Sequence, residues 1–532
     1  MPETLPPVKL AQEKWGMGDM DGAMLVWLGV FLAAYFTAIY LIHGRVRAAQ
    51  VGREHDLHEY FVSGRDLDLK TAIATLGATE IGLITIAYNA QKGFNEGFSA
   101  FHIGIAGLIG CAFVGLTGFV VGPIRRTGVL TLPEFYGLRF GGDVRILGAA
   151  VMALGGILNM GLFVKVAALF IVALLGVESS PALVVPLMVV LVAVAVIYTA
   201  FGGMRSVVAT DVFQFVLLTI GVAVAIAAML GVVGPAEVVE AVSREKGVGG
   251  FDPVVNESFG IVYMMWMVLV AGVVSSAIWP TALTRALLIK EERDVRRTYL
   301  IASVIFMGRM VLPAVLGVIA IAYFANGGDG ARTALAAHGS DSDLVATPVM
   351  LGLALPGWLV AFLAVAMFAS FMSTQDSYLF CWSSIIARDI AGPLLRRTDD
   401  AVFQKRATQI GIAAIALYEI YWGLVYGGGE DVWDYLAVSG SIYFCSGIVL
   451  LAGGLYWRRA TRRGALAALA LGFTAVAALG PVKSALGLEG ISSPVIGFAA
   501  IGLSLAGFVI GSLSEPAPDL DEQGRLRVSS AG

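Results

Sequence analysis

The stretch TAIATLGATEIGLITIAYNAQKG, Thr71 to Gly93, is long and apolar enough to cross a bilayer, yet it carries a carboxylate, Glu80, near its centre. A charge at that depth costs on the order of 2.5–3.5 kcal/mol on insertion scales, so Glu80 needs a partner, a wet cavity or a function. Gly77, Gly82 and the β-branched Ile81, Ile84, Thr85 and Ile86 surround it. They make a regular helix easy to interrupt, and an interruption frees backbone carbonyls able to bind a cation.

The remainder of the chain explains the setting. Of its 532 residues 58% are hydrophobic and 14% charged, with a mean hydropathy of +0.82, and the apolar residues come in long blocks. That pattern marks an all-α polytopic membrane protein whose surroundings are the lipid bilayer, with no nucleic acid implied. Thirteen blocks reach spanning length, at 21–43, 69–93, 97–122, 146–176, 182–201, 207–233, 257–284, 298–325, 349–387, 405–426, 432–457, 464–481 and 491–513. The N-terminus lacks the basic start and small-residue cleavage site of a signal peptide, so the first span is expected to be retained. Cys111, Cys381 and Cys445 all lie in apolar blocks and read as reduced packing residues.

Charge sets the orientation. With the N-terminus outside, 26 of the 35 lysines and arginines, Arg285 among them, fall in or beside cytoplasmic segments. Seven, including Lys92, fall on the other side, and Lys165 and Arg309 lie inside spans. This bias predicts a multi-pass protein of the cell (inner) membrane with its N-terminus outside and its C-terminus cytoplasmic.

Two further stretches carry polar groups into the spans. In SFMSTQDSYLFCWSSIIARD, Ser370 to Asp389, the hydroxyls of Ser370, Ser373, Thr374, Ser377 and Ser384 fall on one helical stripe beside Asp376. Neutral oxygens in register suit a hard cation bound reversibly. In VIYTAFGGMRSVVATDVFQFVLL, Val196 to Leu218, Gly202, Gly203 and Arg205 are expected to form a short cytoplasmic turn. Ser206, Thr210 and Gln214 then recur every four residues, with Asp211 adjacent.

The motifs YFVSGRDL, LPEFYGLRFGGDVR, YTAFGGMRSVVATDVFQF, MSTQDSYLFCWSSIIARDI and GGLYWRRATRRGA, in this order between Tyr60 and Arg463, resemble those of the sodium:solute symporter family. The resemblance implies the leucine-transporter fold, two inverted five-helix repeats at 69–233 and 257–457. Residues 1–68 then add one helix before them and residues 458–532 two after. It also implies sodium-coupled symport of a small polar solute by alternating access, not enzymatic turnover. Matching the family pattern places a sodium ion on the carbonyls of Ala78, Ile81 and Ser370 and the hydroxyls of Ser373 and Thr374. A second sodium would use Asp211, Ser373, Asp376 and Ser377, where Asp376 stands at a position that is serine in two-sodium relatives.

For the solute, the resemblance points to Thr79, Glu80, Phe101, His102, Ser275, Arg309, Trp433 and Asp434, with Lys165 added by its depth, while His102 also reads as a neutral core histidine and Phe101 as aromatic packing. Arg309 with Lys165 suits a carboxylate, and Glu80 with Asp434 an ammonium, so the solute reads as zwitterionic or amino-acid-like. Glu80 itself has four candidate partners: Lys165, Arg309, a substrate amine or a proton. A proton-coupled symporter using Glu80 or Asp376, and a transporter-like sensor, are the alternatives. A membrane enzyme is the weakest reading, because the few histidines and cysteines form no metal or nucleophile constellation.

Overall fold

A computed structural model describes residues 22–49, 67–426, 431–521 and 524–526. All of the YFVSGRDL motif except Leu67 lies outside them. The principal helices are α1 (Gly22–Ala49), α2 (Leu69–Glu80), α3 (Leu83–Glu96), α4 (Phe101–Thr117), α5 (Gly142–Met160), α6 (Phe163–Leu174), α7 (Pro181–Val232) and α8 (Gly260–Ile278). They continue with α9 (Pro280–Leu288), α10 (Glu292–Asn326), α11 (Ser342–Ala354), α12 (Gly357–Ile385), α13 (Ala401–Val425), α14 (Val432–Tyr456), α15 (Arg462–Gly472) and α16 (Ser493–Leu513).

The interruption expected near Glu80 is present. Helix α2 starts where the Asp68 carboxylate accepts the Thr71 N–H at 3.1 Å, an N-cap that satisfies one of the first-turn donors. It stops at Glu80, where Ile81 (φ −110°, ψ 72°) and Gly82 (φ −87°, ψ 168°) leave helical geometry before α3 resumes. Gly82 is required at this point: a Cβ there would lie 2.2 Å from Thr374 Oγ1, so only glycine lets α12 press against the break.

The block 257–284 is broken in the same way. Helix α8, π-helical over Met267–Val274, ends at Ile278, and Trp279 (φ −62°, ψ 121°) turns the chain into α9. Pro280 at the start of α9 lacks the N–H that would continue α8 and pushes the residue before it into extended backbone.

Around these broken helices the bundle is closely packed. Helix α10 runs along α3 and α4, α12 along α7 and α1, and α14 along α5, while α15 and α16 form a separate pair against α14. Glycines allow the closest approach. A Cβ on Gly317 of α10 would lie 1.9 Å from the Ala90 carbonyl oxygen of α3, and one on Gly93 would lie 2.1 Å from Ala314 O. Large apolar side chains such as Ile197, Ile261, Ile410 and Ile510 face outward, the surface expected of helices in lipid. Cys111, Cys381 and Cys445 are buried and free, as packing residues should be.

One expectation is not confirmed and another needs correction. Ten helices among the described residues are long and apolar enough to cross a membrane, with a shorter apolar stretch at Pro181–Ile197, which does not confirm the count of thirteen. The difference lies in blocks that the chain divides: 69–93 breaks at 81–82, and 464–481 becomes the 11-residue α15 followed by a 3-10 segment at Phe473–Ala478. The turn expected at Gly202, Gly203 and Arg205 is also absent, because helical backbone runs unbroken from Pro181 to Val232. A glycine inside a helix costs only about 1 kcal/mol, which does not by itself end one.

The α3–α10 contact yields a direct test. Gly317→Val should destabilise the fold by roughly 2 kcal/mol through overpacking against Ala90, read as a lower melting temperature of the purified protein. Gly308→Ala on the same helix is the control: its added methyl meets only Leu312 Cδ1 at 3.9 Å, and it should leave the melting temperature unchanged or raise it.

Candidate functional site

The break leaves the last carbonyls of α2 short of helical partners, with Ala78 O met only by the Ile81 N–H at 3.4 Å. Side chains of neighbouring helices supply them. Ser373 Oγ stands 3.3 Å from Ala78 O, Thr374 Oγ1 donates to Thr79 O at 3.3 Å, and Ser370 Oγ donates to Ile81 O at 3.0 Å. Arg309 Nη1 donates to Glu80 O at 2.7 Å, with Thr85 Oγ1 at 3.2 Å from the same oxygen. Of the sequence-expected set, Ser373 meets Ala78 O and Ser370 meets Ile81 O by its hydroxyl, where its carbonyl was expected, while Thr374 meets Thr79 O, so all five stand along the break. Such a set provides the uncharged oxygen donors that suit a hard monovalent ion.

Glu80 has one clear positive neighbour. Its Oε2 lies 2.9 Å from Arg309 Nη1, and Oε1 accepts from Thr281 Oγ1 of α9 at 2.8 Å. Lys165 is excluded as the partner, since its Nζ donates to Tyr426 O at 3.2 Å. The Arg309 guanidinium also sits over the Phe306 ring, 4.1 Å from its centroid.

This pair lines a cavity of about 100 Å³. Its polar wall is Thr79, Glu80, Thr85, Asn159, Ser275, Arg309 and Thr374, and its apolar wall includes Tyr88, Phe163, Trp266, Trp279, Tyr378, Trp433 and Phe444. Trp279 Nε1 donates to Tyr378 OH at 2.9 Å, and the Tyr88 and Trp433 rings are 4.9 Å apart, so the aromatic wall is itself held in place. Of the expected solute residues, Thr79, Glu80, Ser275, Arg309 and Trp433 line this cavity. Phe101, His102, Lys165 and Asp434 do not. His102 packs against Phe259 with its Nδ1 2.7 Å from Ser99 O, and Phe101 stacks edge-on to Phe98.

Asp434 belongs to a second cluster that sequence reasoning missed. Lys92 of α3, assigned from the sequence to a flanking position, is buried and bridges Asp431 at 2.7 Å and Asp434 at 3.0 Å, tying α3 to the start of α14. Asp434 faces a separate vestibule that shares Trp266 and Ala437 with the central cavity.

On the other side of the break, Asp211 is wholly buried at the centre of a network. Its Oδ2 accepts from Thr75 Oγ1 (2.8 Å), Thr79 Oγ1 (3.3 Å) and Arg285 Nη2 (3.1 Å), and its Oδ1 from Ser373 Oγ (2.7 Å). Arg285 Nη2 also donates to Ser377 Oγ at 2.7 Å. Arg285, counted from the sequence as a helix-end charge with its nearest cytoplasmic segment, is buried, 1% exposed. Its sequence signal was weak, because hydropathy sees only the end of an apolar block there. Glu419 of α13, hydrogen-bonded by Gln375, was also missed, although a lone carboxylate inside the 405–426 block gives the same signal as Glu80.

Comparison with known proteins gives the family and the fold. The family model described as sodium:solute symporter matches residues 60–472. The high-affinity proline transporter PutP of Bacillus subtilis (strain 168) is 25% identical over 455 residues, 80% of this chain and 87% of that protein. A putative sodium-dependent multivitamin transporter of Drosophila melanogaster is 24% identical over 197 residues, which is 37% of this chain and 31% of that protein's length. Among solved structures, a Na+-coupled sialic acid symporter in a substrate-bound outward-open state superposes with a TM-score of 0.75 at 16% identity, covering 94% of this chain and 99% of that one. MhsT in complex with L-phenylalanine superposes with a TM-score of 0.53 at 15% identity, covering 84% and 98%. The fold is thus the leucine-transporter fold expected from the sequence, with both broken helices in place. The chain belongs to the sodium:solute symporter family, a transporter and not an enzyme, and couples solute movement to sodium by alternating access.

Proposed function

We propose that the co-transported sodium binds at the α2–α3 break, on the carbonyls of Ala78, Ile81 and Ser370 and the hydroxyls of Ser373 and Thr374, and that the cavity beside it takes a zwitterionic, amino-acid-like solute. The observation that carries this reading is the Glu80–Arg309 pair, which lines the cavity, with Glu80 on the same backbone as the carbonyls of Ala78 and Ile81. A solute carboxylate replaces Glu80 on Arg309, its ammonium takes the freed Glu80, and both charges stay paired throughout. The proline of PutP and the phenylalanine bound to MhsT are solutes of this class.

Coupling follows from position. Sodium fixes Ala78 and Ile81, the residues that flank Thr79 and Glu80, so sodium and solute favour one arrangement of the break, and each strengthens binding of the other. The Lys and Arg bias supports an N-terminus outside and a C-terminus inside the cell (inner) membrane. That orientation turns Lys92 outward and Arg285 inward. The repeats are proposed at 69–233 and 257–457, supported by a broken helix at the start of each.

Two measurements test this. Ser373→Ala or Thr374→Ala should raise the sodium concentration for half-maximal thermal stabilisation of the purified protein by roughly 5- to 10-fold, the loss of about 1 kcal/mol for one polar contact, with membrane abundance unchanged. Sodium dependence equal to the parent's in both variants would remove these residues from the site. For the solute, amino acids, sugars, carboxylates and vitamins are screened by thermal shift in sodium buffer, where a ligand at 100 times its Kd stabilises by about 2.7 kcal/mol. Zwitterions should stabilise the parent and lose that effect in Glu80→Gln. Stabilisation by sugars alone, or an unchanged response in Glu80→Gln, would overturn the zwitterion reading.

A further inference from the structure

Glu419 is a carboxyl group inside a span that neither the solute cavity nor the Asp211 network uses. It lies on α13 and is 0% exposed, and the side chain that hydrogen-bonds it is Gln375 of α12, also 0% exposed, whose Nε2 donates to Glu419 Oε2. The other oxygen of each group, Glu419 Oε1 and Gln375 Oε1, is buried with no hydrogen-bond partner among the described residues.

No charge compensates it. Helix α13 packs against α6, α7, α12 and the segment 386–391, and the charged groups these bring are engaged elsewhere. Lys165 of α6 donates to Tyr426 O at 3.2 Å, and Asp211 of α7 is held by Arg285 at 3.1 Å. Asp376 of α12 interacts with Asp211 and Arg285, and Asp389 is bridged by Arg145 at 2.8 Å with Arg388 beside it. Tyr418, the neighbour of Glu419 on α13, interacts with it electrostatically but is a phenol and supplies no positive charge.

We propose that Glu419 is a proton-binding site: its Oε1 carries a proton donated to Gln375 Oε1, so that acid and amide are joined by two hydrogen bonds, and this resident proton holds α12, the helix of the sodium hydroxyls, against α13.

The donor count supports this first. An ionised carboxylate only accepts, and so does an amide oxygen, so the pair as it stands has one donor too few. A carboxylic acid offers one donor beside one acceptor, and a primary amide offers the same pair in reverse. One proton therefore satisfies both orphaned oxygens. Burial supports it independently, because a carboxyl group without a counter-charge in a dry interior sheds its charge by taking up a proton.

Placement decides what the proton does. Neither Glu419 nor Gln375 lines the central cavity or the vestibule, so the proton stays with the protein and does not travel with solute. Gln375 follows Ser373 and Thr374 on α12, and at 3.6 residues per turn it points to another side of the helix. Its bond to α13 thus fixes the rotation of α12 that aims Ser373 and Thr374 at Ala78 O and Thr79 O. Loss of the proton sets a full negative charge against the Gln375 oxygen, parts the two helices and turns the hydroxyls from the break. The hold is complete while Glu419 is protonated and is lost as pH rises. Glu419 is in this sense a positioning residue.

The link to sodium rests on the sodium reading above, whereas the proton does not, and two measurements separate them. Infrared spectra are taken of purified full-length protein labelled with carboxyl-13C glutamate, so that protonated aspartates do not contribute. The parent at neutral pH should show the C=O band of a protonated glutamate, and Glu419→Gln should lack it. A parent without that band would overturn the inference whether or not the variant folds, and so would a band that persists in Glu419→Gln. Sodium is then titrated by thermal shift as pH is raised from mildly acidic to alkaline. The half-maximal sodium concentration of the parent should rise roughly 5-fold, the worth of one hydrogen bond, while Glu419→Gln, which keeps a donor and an acceptor facing Gln375, should change little. Equal pH dependence in both would remove Glu419 from the positioning of α12. A parent that does not respond to sodium at all would take down the sodium site and this coupling together, and leave the proton to stand or fall on its band.

Discussion

A helix that stops inside a membrane leaves carbonyls that water cannot reach, and this constraint organises the molecule. The oxygens of Ala78, Thr79, Glu80 and Ile81 are met by Ser373, Thr374, Arg309 and Ser370. These four partners come from α10 and α12, and close packing is what brings them there. Gly82 admits α12 to the break, while Gly93 and Gly317 let α10 run against α3 near enough for Arg309 to reach Glu80. Replace any of these contacts with bulk and the donors retreat from carbonyls that have no other solvent.

Charges placed at three levels then hold the same broken helices. Lys92 ties α3 to α14, Glu80 and Arg309 join the break to α10, and Asp211 with Arg285 joins α2, α9 and α12 through Ser377 and Ser373. Buried ion pairs stabilise little by themselves, because desolvation offsets most of their attraction. Their value lies in the cost of parting them. A rearrangement that moves α2 or α9 must re-pair these charges or fill the gap with a mobile ion, which makes occupancy and conformation mutually dependent.

Much of this was legible in the residues, and where it was not the cause is physical. Glu80 announced itself as a charge amid apolar residues, and the hydroxyl stripe from Ser370 to Ser384 was visible because helical periodicity aligns it. Neither signal depends on tertiary structure. Arg285 and Lys92 were assigned to span ends because hydropathy averages along the chain and does not see direction. Arg285 is buried because Pro280 restarts the helix and turns α9 back into the bundle, and Lys92 because Asp431 and Asp434 arrive from residues more than three hundred positions away. The division of 69–93 into two helices followed from its glycines, but the helical continuity through Gly202 and Gly203 shows that the same residue type need not break a helix.

The pairing of Glu80 with Arg309 also bears on what the cavity refuses. A solute with only one charge engages one partner and leaves the other buried alone, and a broken buried pair costs on the order of 3–5 kcal/mol. At about 1.4 kcal/mol per decade, that is a penalty of two to four powers of ten in affinity. On the zwitterion reading proposed above, simple cations and simple anions are disfavoured by this pair. The aromatic wall of Tyr88, Trp266, Trp279 and Trp433 adds apolar surface without further charge, so on the same reading affinity rises with the solute's body while selection rests on its two ends.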